Sequence, residues 1–252
     1  NDLCSLKPNE DRPCLAVHMW IDVDGNMVKF KFIRGLMRSF ARLNYRQVQM
    51  AIEGETDIEI SKFSKDIITP LFLAYKALCK AKNTRNPLDL ELPEKRIILD
   101  NDGKISDVIQ RPRYDSHKLI EEFMITANVA AASELEKKSK SFLYRVHAEP
   151  PSKNLESLRS FLKPLGYNLS KGQVLTPLNF NQILKKSKSS DVYEAITQMI
   201  LRSQSQAVYA DENIGHFGLS LRRYCHFTSP IRRYSDLIVH RALISANSFG
   251  EG

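Results

Sequence analysis

The residues from His216 to Arg241 stand apart by type and spacing. These 26 residues hold five arginines (Arg222, Arg223, Arg232, Arg233, Arg241), three of the six histidines and four aromatics (Phe217, Tyr224, Phe227, Tyr234). The one acid is Asp236, and there is no lysine, although lysine outnumbers arginine by 20 to 17 over the chain. A guanidinium grips phosphate through two parallel N–H donors, whereas an ammonium is a point charge. Arginine used throughout therefore points to phosphate recognition. Ser229-Pro230 reads as an N-cap and first helical residue of a helix running through Ala246. Arg232 and Arg233 then fall in its first turn, where the helix dipole disfavours each cation by roughly 0.3–1 kcal/mol. Free N–H groups and arginines at such a terminus suit an anion. A solvated arginine pair on an ordinary helix is the competing reading.

Two further positions could do chemistry. A long helix is expected from Tyr114 to Lys138, with Ile120, Phe123, Met124, Ala127 and Ala131 as its apolar stripe. On that wheel Glu122 points away with Lys118 and Thr126, into solvent. Glu121 flanks the stripe beside His117, Ile125 and Asn128, as a site acid or as a boundary acid paired with a surface cation. Tyr45, between Arg42 and Arg46, could stack on a base or ribose, or be a half-buried core tyrosine with a wet hydroxyl. Tyr144, Arg145 and His147 form a smaller basic-aromatic knot. The lysines at 137–140 and 185–188 read as solvated faces.

The elements that must position these residues alternate without a βαβ rhythm, so the fold class is α+β, with antiparallel strands packed with several helices. Residues 14–34 read as a β-hairpin turning at Asp24-Gly25, and Arg96–Asp100 and Ile105–Ile109 as a second, turning at Asp102-Gly103. Helices are expected at 45–54, 66–82, 154–165 and 190–204. Residues 83–93 read as a loop, Phe142–Val146 as a short strand, and the stretch before residue 190 as a polar linker.

The chain has 252 residues, a net charge of +8 and 42% apolar residues, which excludes disorder and a coiled coil as descriptions of the whole. No run of 18 apolar residues predicts a membrane span, and no signal peptide is evident at Asn1-Asp2-Leu3-Cys4. Cys4, Cys14, Cys79 and Cys225 lack zinc-site spacing and read as free thiols of a cytoplasmic protein. The missing initiator Met points to a piece of a longer protein.

Read together, these segments resemble the RNB catalytic domain of the ribonuclease II and ribonuclease R exoribonucleases, closest to the ribonuclease R branch. The resemblance rests on Leu3-Cys4-Ser5-Leu6 with Asp11-Arg12, Ala41-Arg42-Leu43-Asn44-Tyr45, His117-Lys118-Leu119-Ile120-Glu121-Glu122, Ala127-Asn128 and Leu143-Tyr144-Arg145-Val146-His147. The strongest block runs from His216-Phe217-Gly218-Leu219 through Tyr224-Cys225-His226-Phe227-Thr228-Ser229-Pro230-Ile231-Arg232-Arg233-Tyr234-Ser235-Asp236 to His240-Arg241.

This resemblance covers residues 1–252 as one partial RNB domain. It implies processive 3′-to-5′ hydrolysis of single-stranded RNA to nucleoside monophosphates with Mg²⁺. Arg232 matches the family's arginine at the scissile phosphate; Tyr45 and Glu121 match residues at the 3′-terminal ribose. Arg233, Arg145 and Arg223 are lesser candidates for phosphate or structural roles. Leu90 stands where the family usually has a phenylalanine that stacks on a base, so the terminal clamp is expected to be weaker. The family's metal-binding aspartates lie upstream of the Leu-Cys-Ser-Leu segment, and the chain has no Asp-Asp pair to replace them. The cold-shock domains and the C-terminal RNA-binding barrel also lie outside this range. The chain alone is therefore expected to be inactive and poorly soluble. The rival reading is a non-catalytic RNA-binding or scaffold protein on the same fold. Neither a membrane nor DNA is an expected partner.

Overall fold

The computed structural model describes residues 4–55, 60, 63–90, 95–100, 102–110, 112–172 and 174–250. They divide into two compact units: Asn1–Asn86 with Asp115–Ala148 and Gln206–Gly252, and Pro87–Tyr114 with Glu149–Ser205.

The larger unit opens with a hairpin of β1 (Asp11–Ile21) and β2 (Met27–Arg38). Strict alternation turns Leu15, Val17, Met19, Phe30 and Phe32 toward the core. The turn is held by Asp22, whose Oδ1 accepts from the Asp24 and Asn26 N–H groups at 3.0 and 2.8 Å. α1 (Tyr45–Glu53) starts at a reciprocal cap: Asn44 Oδ1 accepts from Gln47 N, and Gln47 Oε1 accepts from Asn44 N, both at 2.9 Å. A π-helical turn, Ser64–Ile68, leads into α2 (Thr69–Arg85), with Pro70 in its first turn as the sequence requires. It stops at Asn86, which takes the left-handed conformation at φ 51°.

α3 (Asp115–Lys137) is the spine of this unit and packs against α1, α2 and the C-terminal α7 (Tyr234–Ala246). Its alanines Ala130, Ala131 and Ala132 are fully buried beside Leu135, Phe142, Cys225, Val239 and Leu243. β5 (Tyr144–Val146) pairs antiparallel with β6 (Val208–Ala210), a strand too short to announce itself in the sequence. α7 begins four residues later than expected, with Arg233 rather than Ser229 at its N-cap. Ser229–Arg233 is instead a turn, with the Ser229 carbonyl accepting from the Arg232 and Arg233 N–H groups at 3.3 and 3.1 Å.

The smaller unit holds the hairpin of β3 (Lys95–Leu99) and β4 (Ile105–Gln110), together with α4 (Ser152–Leu162), α5 (Pro177–Ser187) and α6 (Tyr193–Ser203). Residues 91–93 of the expected loop lie outside the described residues. The expected polar linker is a correction: α5 is a helix capped by Thr176, with Phe180, Ile183, Leu184 and Ser187 buried at helical spacing. Its lysines Lys185 and Lys186 do face solvent. Leu158, Leu162, Phe180, Ile196 and Ile200 fill the core of this unit. Among the described residues, no helix is long and apolar enough to cross a membrane.

Candidate functional site

Arg232 is exposed, on a turn that is itself half-buried to exposed. Asp236, in the first turn of α7, is fully buried. Its Oδ1 accepts from Ser229 N and from Arg233 Nη2, each at 2.8 Å, and its Oδ2 accepts from Ser235 Oγ at 3.2 Å. One carboxylate thus closes the turn and takes up the charge of Arg233, which occupies the N-cap position. The anion that a helix start crowded with arginine requires is, for Arg233, this internal aspartate. Among the described residues Arg232 has no such partner: its guanidinium makes no ion pair or hydrogen bond.

The segment leading to that turn is stitched to α3 by Asn128. This side chain is buried; its Nδ2 donates to Tyr224 Oη and its Oδ1 accepts from Phe227 N, both at 2.9 Å. The Asn128 carbonyl accepts from Cys225 Sγ at 3.4 Å. Cys225 is itself fully buried, and burial pushes its thiol pKa up. His240 on α7 donates Nε2–H to the Phe227 carbonyl at 2.8 Å and stacks on the Phe227 ring.

Asn128 lies two helical turns beyond Glu121, and Glu121 one turn beyond His117, so the three share a stripe of α3. His117 stacks on the Tyr45 ring with centroids 4.1 Å apart. Ser116 fixes the start of α1, donating Oγ–H to the Tyr45 carbonyl at 2.7 Å. Tyr45 is 45% exposed, which decides for a presented ring over a buried one. His117, named in the sequence only as a neighbour of Glu121, is the partner that orients Tyr45.

The wheel placed the two glutamates the wrong way round. Glu121 is exposed, whereas Glu122 is buried and pairs with Lys82 Nζ at 2.8 Å and Arg85 Nη2 at 3.9 Å. Ile120, expected at the stripe centre, is exposed. The cause is that α3 is covered on more than one side. The last turn of α2 lays two cations against Glu122, and single-helix periodicity cannot register a partner on another helix.

The remaining candidates separate. Arg223 pairs with Glu136 at 2.6 Å, and Glu136 also accepts from Tyr144 Oη and Asn213 Nδ2 at 3.1 and 3.0 Å. Burial and that carboxylate push the Tyr144 hydroxyl pKa up to about 12. Arg145 lies 4.8 Å over the Tyr209 ring, a contact of β6 that the sequence did not signal. The Tyr209 hydroxyl meets His226 Nδ1 at 2.7 Å. His226 is pushed down to about 4 by burial and then by the charge of Arg233, so it is neutral at pH 7. His216 is also pushed down to about 4, by burial and then by His147. His147 Nδ1 accepts from Gly218 N at 2.8 Å, which fixes the loop that His216 opens. Leu90 belongs to the smaller unit and is half-buried. Among the described residues no three His, Cys, Asp or Glu side chains come together to hold a metal ion. The described side chains therefore do not form a Mg²⁺ site.

A profile of the RNB domain matches residues 1–248. The chain belongs to the RNB domain family. Within that family it is 41% identical over 244 residues to ribonuclease R of Vibrio cholerae, covering 96% of this chain and 30% of that protein. The apo structure of Mycoplasma genitalium RNase R superposes with a TM-score of 0.88 at 27% identity, over 97% of this chain and 38% of that one. The same protein has been solved in complex with ribose-methylated single-stranded RNA. Yeast Ssd1, a pseudonuclease, shares the fold at a TM-score of 0.73 and 20% identity. The RNB chain thus spans about a third of the relatives it matches.

Proposed function

We propose that this RNB chain is the phosphate-gripping part of the catalytic domain of a 3′-to-5′ exoribonuclease that hydrolyses single-stranded RNA to nucleoside monophosphates. Arg232 carries the reading: an exposed guanidinium, unpaired among the described residues, on a turn closed by a buried carboxylate. A guanidinium fixed in advance stabilises charge on a phosphate without reorganising when the charge develops. Tyr45, oriented by His117, and Glu121, on the Asn128 stripe, would read the terminal ribose. Arg145, propped on Tyr209, is a second phosphate contact. Arg233 and Arg223, already paired, position the backbone instead. Both units would belong to one domain, and Mg²⁺ would be held by aspartates outside the described residues.

The test is binding of a 5′-labelled single-stranded oligoribonucleotide across a salt series, with Arg232→Ala alongside. We expect affinity that falls steeply with salt, and a log–log slope reduced by about 0.7 in the variant, one phosphate contact on a single strand. Salt-insensitive or absent binding would sink the proposal. Arg232-dependent shortening from the 3′ end, in the longer protein carrying this chain, separates the enzyme from a scaffold. The scaffold reading draws on the absence of a metal-holding cluster among the described residues.

A further inference from the structure

Strand β2 carries Lys29, Lys31, Arg34 and Arg38 and no acid in its 12 residues. Alternation sends Phe30 and Phe32 into the core and Lys29 and Lys31 to the opposite face. In the register of the hairpin Lys29 faces Trp20 and Lys31 faces His18. Four side chains that are neither core nor turn therefore share one outward patch. Trp20 is 44% exposed, Lys29 Nζ lies 5.0 Å from its ring centroid, and the His18 ring lies 6.3 Å away.

Of the nearby acids, Asp24 lies in the turn and makes no ion pair with Lys29 or Lys31 among the described residues. Asp22 accepts from the backbone of its own turn, and at the far end Asp11 pairs with Arg38 at 2.7 Å. Neither Lys29 nor Lys31 has a carboxylate partner among the described residues. The patch is thus positive, with an indole at its centre. A base offers such a ring a π-face, and a polyanion offers the lysines their missing charge. Lys29 and Lys31 are about 6.8 Å apart along the strand, a step that consecutive phosphates of an extended chain can follow.

We propose that this face of the β1–β2 hairpin is a second contact for single-stranded RNA, with a base stacked on Trp20 and phosphates on Lys29 and Lys31. It rests on the reading of Arg232 only in taking RNA as the ligand. Trp20 is the only tryptophan in the chain, so its emission reports this face and no other.

The experiment titrates the chain with a 5′-labelled oligoadenylate and follows both label anisotropy and Trp20 emission. Expected are quenching that tracks the anisotropy, a loss of affinity of about tenfold in Trp20→Leu, and a salt slope reduced by about 1.4 in Lys29→Ala/Lys31→Ala. Arg232→Ala should weaken binding but leave the depth of quenching at saturation unchanged. Anisotropy that rises while Trp20 emission stays constant would overturn this contact and leave the Arg232 reading standing. No binding at all would overturn both. Equal quenching by inorganic polyphosphate would show a charged patch without base stacking, and would also overturn the proposal.

Discussion

Two carboxylates do different work from their sequence neighbours. Asp236 is spent inside the protein, and that leaves Arg232 as the arginine of its pair that faces outward. Glu122 is likewise spent on Lys82 and Arg85. Removing it strands two partly buried cations, so Glu122→Ala should destabilise the fold by about 3 kcal/mol, against less than about 1 kcal/mol for Glu121→Ala at an exposed position. Urea midpoints of the two variants decide; equal losses would contradict the assignment. The site was legible in part. Arginine selection and the Ser-Pro pair pointed to the segment where the structure sets Arg232 on a turn closed by Asp236, but periodicity reversed the burial of the glutamates because the partners of Glu122 come from α2. The Ser229-Pro230 pair also placed Arg232 and Arg233 inside a helix, because a Ser-Pro cap and a Ser-started turn look alike until Asp236 is seen folding back on Ser229.

At the scale of elements, the two hairpins use glycine under different constraints. Gly25 has φ +85°, and an added Cβ would lie 2.0 Å from the Ala77 carbonyl oxygen on α2. Gly103 has φ +76° with open space around it. Gly103→Ala should therefore cost about 1 kcal/mol, from backbone conformation alone. Gly25→Ala must also push α2 from the hairpin and should cost about 3 kcal/mol or more. Thermal melts of both variants test this, and similar losses would mean that the turn does not seat against α2. Both hairpins could be read from alternation and Asp-Gly turns because their signals are local. α5 could not, since Asn179, Asn181, Gln182, Lys185 and Lys186 hide a buried stripe that makes sense only against the other helices of its unit. β6 is three residues whose pairing partner lies far back in the chain.

For the molecule as a whole, half-buried neutral histidines set the response to acid. His216 and His226 titrate near pH 4 in the fold, against an ordinary value of 6.5, and burial lowers His240 as well. As pH falls through 6.5 the unfolded chain takes up protons that the fold refuses until about pH 4. Stability is therefore full above pH 6.5 and declines between 6.5 and 4, by on the order of 2 kcal/mol after allowing for the solvent these rings still see. Below that, Asp11, Asp22 and Glu156, whose pKa values are lowered by hydrogen bonds, add a further loss. Urea midpoints at pH 7, 5.5 and 4 read the slope, and a flat series over that range would refute it. The buried Cys225 gives the larger unit a clock. A thiol reacts as its thiolate, and burial denies Cys225 both the charge and the reagent. In excess iodoacetamide the exposed Cys4 should be capped promptly, whereas each capped Cys225 records one molecule that came apart. The mass of the peptide that carries Cys225, digested from samples taken over hours so that the half-buried Cys14 and Cys79 do not count, would then give the opening rate in plain buffer, with no denaturant and no extrapolation.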